Sequence, residues 1–227
     1  MDIENSIILV TSAGSRLGCT LATHFAKLGA KVALCDQDSI SLMETYHHCL
    51  QISDHVAPFP IASSSEQSIH TLLDVVQNHF DAAPNVLVNC WTSSPMPKLT
   101  SNQPAKPFVE QLSEMASTLF SFGQVSAERM RLEGRKGVIV NVISHDNYHD
   151  FSGVESATSM VSGFTTSWAK ELTPFNIRVG GVVPAIHHLS RKIDDQHWAE
   201  VQDELIRSTE YIVSNEYFSG RVVSAEV

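Results

Sequence analysis

The chain has 227 residues, of which 43% are hydrophobic and 18% charged, and its formal net charge is −10. This composition is typical of a globular protein with enough apolar material for one core. The negative charge opposes binding to phosphate backbones, and the 15 Lys and Arg residues form no basic run, so we do not expect nucleic acid as a partner. The longest apolar stretch near the N-terminus, Ile7–Val10, is too short to cross a membrane and is not part of a secretory signal. We therefore expect a cytoplasmic protein with no membrane partner.

The four cysteines, Cys19, Cys35, Cys49 and Cys90, are widely spaced and form no C-x-x-C pair. This spacing favours reduced thiols in a reducing compartment over disulfides or a zinc site. We expect these thiols to pack in the core, and we expect no metal site.

Six apolar runs rich in β-branched residues are bounded by Gly, Pro, Asn or Ser and predict buried strands. A seventh, short strand is expected near Val222. In chain order the six runs are Ser6–Thr11, Lys31–Cys35, His55–Ile61, Asn85–Asn89, Gly137–Ile143 and Ile177–Val183.

Four segments between these strands carry apolar residues at helical spacing. They run from Leu17 to Leu28, Ile69 to Phe80, Phe108 to Phe122 and Val154 to Leu172. Alternating strands and helices need right-handed crossovers, so the strands must be parallel and helices must cover both faces of the sheet. The sequence therefore predicts an α/β fold, a single Rossmann-type domain over residues 1–227 with a doubly wound parallel sheet of about seven strands. The polar, partly helical residues 186–210 are a candidate small lid.

The turn after the first strand reads Thr11-Ser12-Ala13-Gly14-Ser15-Arg16-Leu17-Gly18. In a doubly wound fold this turn offers free N–H groups at a helix N-terminus to a pyrophosphate. It resembles the T-G-x-x-x-G-x-G turn of the short-chain dehydrogenase/reductase family, with Ser12, Arg16 and Gly18 at the three glycine positions. The pteridine-reductase branch of that family carries an Arg at the second position, and Arg16 could bond a phosphate. The resemblance implies a set of cofactor-binding residues in this turn: Thr11, Ser12, Ser15, Arg16, Leu17 and Gly18. The alternative is a strand-to-helix turn with a serine cap.

An acidic residue, Asp36, follows the second strand. A carboxylate at this place can accept hydrogen bonds from an adenosine ribose, and it repels a 2′-phosphate. If a dinucleotide binds, NAD is favoured over NADP. The alternative role for Asp36 is to cap the end of the strand.

The resemblance continues through almost the whole chain. Val86-Leu87-Val88-Asn89 is similar to the L-V-N-N-A-G strand of the family, which adds Asn89 to the implied cofactor-binding residues. Three further matches follow in the family's order. Gly137–Val142 is similar to the strand G-x-I-V-N-I, and Tyr217–Val223 is similar to the closing Y-x-T-G-x-x-x segment. Between them, the family's A-x-E-L…I-R-V-N…P-G pattern is matched by Ala169–Leu172, Ile177–Val179 and Pro184.

The catalytic positions implied by the resemblance are mostly changed. The family moves a proton with a Tyr, a Lys, a Ser and an Asn, and Ser144 lies at the family's spacing from Asn141. Counting back from Ala169 places Val154 at the Tyr position and Thr158 at the Lys position, and neither side chain can relay a proton at neutral pH. The fourth helix places Met115 at the Asn position.

The loop His145–Asp150 offers a replacement proton donor, because it follows Ser144 and should overhang the cleft. Tyr148 and His149 are the candidates, so the candidate catalytic residues are Ser144, Tyr148 and His149. The same loop is also explained as a polar surface turn.

Two functions remain open. The first is a non-catalytic or very weakly active protein that binds a nucleotide or small metabolite or acts through assembly. The second is a divergent NAD(H)-dependent oxidoreductase acting on a small carbonyl or alcohol, with Ser144 orienting the substrate and Tyr148 or His149 donating the proton. The expected cofactor is NAD, bound weakly or not at all. Helices about Phe108–Glu133 and Ser152–Thr173 carry surplus apolar residues, and the family packs its subunits there, so we expect a homodimer or homotetramer.

Overall fold

Seven parallel strands form one sheet in the order β3-β2-β1-β4-β5-β6-β7. A computed structural model describes residues 1–100, 102–145, 150, 152–185 and 195–226, with only the backbone described at 195–197. The predicted doubly wound Rossmann fold is confirmed. The strands are β1 Ile7–Val10, β2 Lys31–Asp36, β3 Val56–Pro60, β4 Val86–Ser93, β5 Gly137–His145, β6 Ile177–Pro184 and β7 Arg221–Ala225.

Helices cover both faces of this sheet, because alternate strand residues point to opposite sides. One core lies between the sheet and α1, α2 and α6, and the other lies between the sheet and α3, α4 and α5. No helix among the described residues is long and apolar enough to cross a membrane. The helices are α1 Arg16–Lys27, α2 Ser39–Leu50, α3 Glu66–Phe80, α4 Ala105–Leu132, α5 Val154–Leu172 and α6 Asp195–Ser214.

The apolar spacing predicted neither α6, in residues expected to be polar and partly helical, nor α2. Helix α2 is the shorter of the two. It buries Leu42, Thr45 and Cys49, which is too few apolar positions for a clear stripe. Its start is fixed instead by Asp38, whose side chain accepts hydrogen bonds from the backbone N–H groups of Ile40 and Ser41. The hydrogen bond from the Ser41 hydroxyl lowers the pKa of Asp38, so the cap is ionised at neutral pH.

Strand β4 is longer than predicted, and this shapes the site. It pairs with β5 in register from Val86 opposite Val138 to Ser93 opposite His145, whereas β1 ends at Val10, opposite Val88. Strands β4 and β5 therefore extend past the end of β1 at the carboxyl edge of the sheet.

The two-core packing predicts a clear contrast between two leucines. Leu21 of α1 is fully buried in the core beside α6, whereas Leu99 is fully exposed. We expect Leu21→Ala to lower the free energy of unfolding by about 2–5 kcal/mol, because the lost contacts leave a cavity. Leu99→Ala should change it by less than about 0.5 kcal/mol. Urea denaturation measures both, and equal effects would contradict this description of the core.

Candidate functional site

The turn after β1 is fastened to the end of β4. The hydroxyl of Thr11 accepts a hydrogen bond from the N–H of Cys90 at 2.9 Å, and the hydroxyl of Ser12 donates to the carbonyl of Cys90 at 3.2 Å. Ser12 has a φ of +48°, in the left-handed region that a glycine enters at lower cost. The serine at the family's first glycine position thus keeps the glycine-like backbone and adds a bond to β4.

Gly18 lets α1 approach this turn closely. A Cβ added at Gly18 would lie 2.2 Å from the carbonyl oxygen of Ser12, so no larger residue fits without moving the backbone. Ser15 caps the helix, because its hydroxyl accepts a hydrogen bond from the Gly18 N–H at 3.0 Å. The Leu17 side chain is buried in the core, so at Leu17 only the backbone N–H can serve a ligand. The first N–H groups of a helix have no partner within the helix and remain available to an anion.

Arg16 is the positively charged residue of this turn. Its side chain is exposed, and no carboxylate among the described residues lies within ion-pair distance of it. Its place in the first turn of α1 puts a guanidinium beside the open N–H groups, a combination suited to a phosphate.

Asp36 joins the same site from the end of β2. One carboxylate oxygen accepts the Gly14 N–H at 2.8 Å, and the other accepts the Asp38 N–H at 2.9 Å. Each oxygen retains a lone pair, and the side chain is half-buried, so a ribose diol can still bond to it. The strand-end cap and the ribose role are therefore compatible.

The Asn89 side chain makes hydrogen bonds in the protein interior. It is fully buried, and its amide donates to the carbonyl of Leu119 at 2.9 Å and to the side-chain oxygen of Asn141 at 3.1 Å. Its own oxygen lies 3.4 Å from the hydroxyl of Thr11. Asn89 thus ties β4 to α4 and β5 and supports the turn from behind.

Ser144 lies under helix α6. Its side chain is 3% exposed, and its hydroxyl accepts a hydrogen bond from the amide of Gln202 at 2.9 Å. Gln202 is 7% exposed, and Trp198, one helical turn earlier, is 5% exposed. The candidate catalytic hydroxyl is therefore bonded to the protein itself and covered by α6.

The other candidate catalytic residues, Tyr148 and His149, lie outside the described residues. Helix α5 begins at Val154 after Gly153, and Val154 is 2% exposed. Thr158 is half-buried one turn further, and Met115 of α4 is fully buried in the core. Val154 and Met115, two of the three residues that the resemblance places at the family's catalytic positions, are therefore part of the apolar packing.

A family model for short chain dehydrogenases matches residues 6–197. The chain belongs to the short-chain dehydrogenase family. The (3R)-3-hydroxyacyl-CoA dehydrogenase of Canis lupus familiaris is 28% identical over 207 residues, which cover 80% of this chain and 74% of that protein. The resemblance stated from the sequence is thus confirmed at the level of the family, whose members bind NAD(H) or NADPH.

Solved structures of the family share the fold. A short-chain type dehydrogenase/reductase from Mycobacterium marinum superposes with a TM-score of 0.81 at 19% identity, covering 99% of this chain and 95% of that one. A 3-ketoacyl-(acyl-carrier-protein) reductase from Brucella melitensis, crystallised with NADH, superposes with a TM-score of 0.77 at 19% identity, covering 98% and 97%.

A short-chain dehydrogenase cofactor lies across the point where the strand order reverses, which here is the gap between β1 and β4. The residues on the β1 and β2 side fit the adenosine half: Asp36 for the ribose, and Arg16 with the start of α1 for the diphosphate. On the β4 and β5 side, Ser144 does not fit a contact with the nicotinamide half, because α6 covers it and Gln202 occupies its hydroxyl.

The cysteines near this edge are not reactive groups. Burial raises the pKa of the Cys35 and Cys90 thiols far above their usual range, so both stay protonated at neutral pH. Neither thiol is therefore a candidate nucleophile.

Sequence reasoning missed the role of α6. Trp198, Val201, Gln202 and Leu205 are all buried and follow helical spacing, so the stripe was visible in the sequence. The spacing alone does not show that Gln202, the polar residue among these four, forms a hydrogen bond with Ser144.

The tight approach of α1 predicts a difference between two glycines. Gly18→Ala should destabilise the protein by more than about 2 kcal/mol and weaken any nucleotide binding, because its Cβ meets the backbone of Ser12. Gly163→Ala, in α5 with nothing within 4 Å of its added Cβ, should be neutral or stabilise by up to about 1 kcal/mol. Urea denaturation of both variants tests this, and a harmless Gly18→Ala would refute the close contact.

Proposed function

We propose that this short-chain dehydrogenase is non-catalytic or very weakly active and works by binding a nucleotide and by assembly. The observation that carries the proposal is the buried hydrogen bond from Gln202 to Ser144. A substrate oxygen would have to displace that amide to reach the hydroxyl. The proposal concerns this chain; its relatives include oxidoreductases such as the hydroxyacyl-CoA dehydrogenase.

The substituted positions support the same proposal. Proton transfer to or from an alcohol needs a side chain that can hold and release a proton near neutral pH. Val154 has no such group, and a threonine hydroxyl at position 158 neither ionises nor carries the charge that would lower a neighbour's pKa. Buried Met115 offers no polar atom that would hold a water in place of the family's Asn.

The nucleotide should carry an unphosphorylated adenosine ribose. Asp36 lies at the end of β2 with its carboxylate held toward the turn by the Gly14 N–H. A 2′-phosphate at this place would meet the negative carboxylate, so NAD(H) is the expected cofactor type over NADP(H).

Assembly should use the outer surface of α4 and α5. Phe120 is 46% exposed on α4, and its ring lies edge-on to Trp168 of α5, with centroids 6.1 Å apart. Phe164 stacks on Trp168 at 4.9 Å, which extends the same aromatic surface along α5. Trp168 is only 8% exposed, so the solvent-facing part of this cluster is Phe120 with the half-buried Phe164. Exposed apolar side chains are typical of subunit contacts, and an isologous homodimer or homotetramer would cover them.

The first test is a search for turnover. With Val154 and Thr158 at the acid/base positions, we expect no NADH oxidation or NAD+ reduction with a panel of carbonyl compounds and alcohols, because acid/base help is worth roughly 10²–10⁴ in rate. The measurement is the nicotinamide absorbance over hours at high protein concentration. An enzyme of the family that carries the complete Tyr and Lys pair serves as the positive control.

Turnover would favour the divergent oxidoreductase instead. In that case activity should fall in Ser144→Ala and in Tyr148→Phe or His149→Ala, each checked for cooperative unfolding. Turnover that survives all three substitutions would show that the reaction occurs elsewhere in the protein.

The second test concerns assembly. We expect Phe120→Asp to convert the oligomer to a monomer, because it places a charge in the apolar contact. Ile40→Asp, on an exposed site of α2, is the matched control and should leave the oligomer intact. Light scattering at micromolar concentration measures both, and a monomeric unsubstituted chain would refute the assembly part of the proposal.

A further inference from the structure

The two halves of the nucleotide crevice differ in what covers them. The β1 and β2 half presents an exposed arginine, Arg16, and a half-buried carboxylate, Asp36. The β4 and β5 half contains Ser144, which lies beside Thr92 in the strand register and is buried. A dinucleotide must use both halves, whereas a single adenine nucleotide needs the first half alone.

In the second half, helix α6 covers Ser144 with its own side chains. Trp198, Val201 and Leu205 belong to the same buried core as Ala13 and Leu17 of the first turn and helix. Gln202 faces Ser144 from this helix and is within hydrogen-bond distance of it. The helix is also linked to α1 by a hydrogen bond between the His24 ring and the Glu210 carboxylate, at 2.7 Å.

The position of Gln202 beside Ser144 is explained by the apolar packing of α6 more than by hydrogen bonding. Among the described residues, neither its side-chain oxygen nor the hydroxyl of Thr92 has a hydrogen-bond partner, although both atoms are buried. Buried polar atoms without partners oppose folding, so the apolar residues of α6 must hold Gln202 in this place. The apolar residues of α6 therefore place the Gln202 side chain over Ser144, where its volume occupies the second half of the crevice.

We propose that this chain binds an adenine nucleotide that ends at the diphosphate, such as ADP, in preference to NAD(H), because α6 fills the nicotinamide half of the crevice. Asp36 would accept the ribose hydroxyls, and Arg16 with the first N–H groups of α1 would hold the diphosphate. This rests on the proposed function, a nucleotide-binding role without catalysis, and it specifies the ligand of that site.

Calorimetric titration of the unsubstituted protein with ADP, ADP-ribose, NAD+ and 2′,5′-ADP is the primary test. We expect ADP to bind at least about tenfold more tightly than NAD+, a difference of about 1.4 kcal/mol. AMP, titrated alongside, carries the same 5′-monophosphate as 2′,5′-ADP, and 2′,5′-ADP should bind more weakly than AMP because its 2′-phosphate meets Asp36. Arg16→Ala should weaken ADP by about tenfold or more, while Lys106→Ala, an exposed cation on α4, should leave ADP affinity unchanged.

Variants of Gln202 test the role of α6. Gln202→Ala removes the amide and most of the side chain, so NAD+ affinity should rise toward that of ADP. Gln202→Met removes the amide but keeps the volume, so it should leave the preference for ADP in place. If Trp198→Ala still unfolds cooperatively, it should raise NAD+ affinity further.

Three results would overturn the inference. NAD+ binding as tight as ADP in the unsubstituted protein would show that α6 does not exclude nicotinamide. An unchanged preference in Gln202→Ala would remove the assigned role of this residue, and no binding of any adenine nucleotide to folded protein would remove the site. None of these results depends on turnover, which alone decides between the catalytic and non-catalytic proposals.

Discussion

The hydrogen bonds between the first turn and the end of β4 are the constraint on which the carboxyl edge of this sheet depends. Strand β1 ends five residues before β4 does, as the register of Val10 with Val88 and the end of β4 at Ser93 show. The chain leaving β1 is therefore held by single hydrogen bonds: the hydroxyls of Thr11 and Ser12 bond to Cys90 of β4, and the N–H of Ala13 donates to the carbonyl of Cys35 in β2. Because α1 approaches the carbonyl of Ser12 through Gly18, the position of its N-terminus follows from this junction. The start of α1 is thus set by contacts between backbone atoms and two small hydroxyls.

The same junction explains why α6 and the first turn are coupled. Leu17 directs its side chain into the core that also holds Trp198 and Leu205, so α1 is packed against the helix that covers Ser144. The hydrogen bond between the His24 ring and the Glu210 carboxylate, at 2.7 Å, is a second contact between the two helices. A movement of α6 that uncovered Ser144 would therefore also disturb the packing of α1 behind the first turn.

The sequence predicted the parts of the molecule that depend on local pattern. The strands and four of the helices followed from apolar spacing, and the order of the motifs indicated the family. Helix α2 was missed because it buries only three residues and begins at the Asp38 cap. The sequence predicted which residues belong to the candidate site but not how they are arranged. Spacing cannot show that the Asn89 amide bonds to Leu119 and Asn141 inside the protein. It also cannot show that Gln202, fifty-eight residues after Ser144, bonds to the Ser144 hydroxyl. Such contacts depend on how helices pack, which no local pattern determines.

The cover over Ser144 comes from one face of the sheet only. Helix α6, which carries Gln202, packs into the core with α1 and α2, whereas α5, which carries Val154 and Thr158, packs into the core with α3 and α4. Ser144 lies at the carboxyl end of β5, and its hydroxyl accepts the amide of Gln202 there. Because the two helices lie on opposite faces, the contact that occupies Ser144 is set by the packing of α6 against α1 and not by the residues at positions 154 and 158.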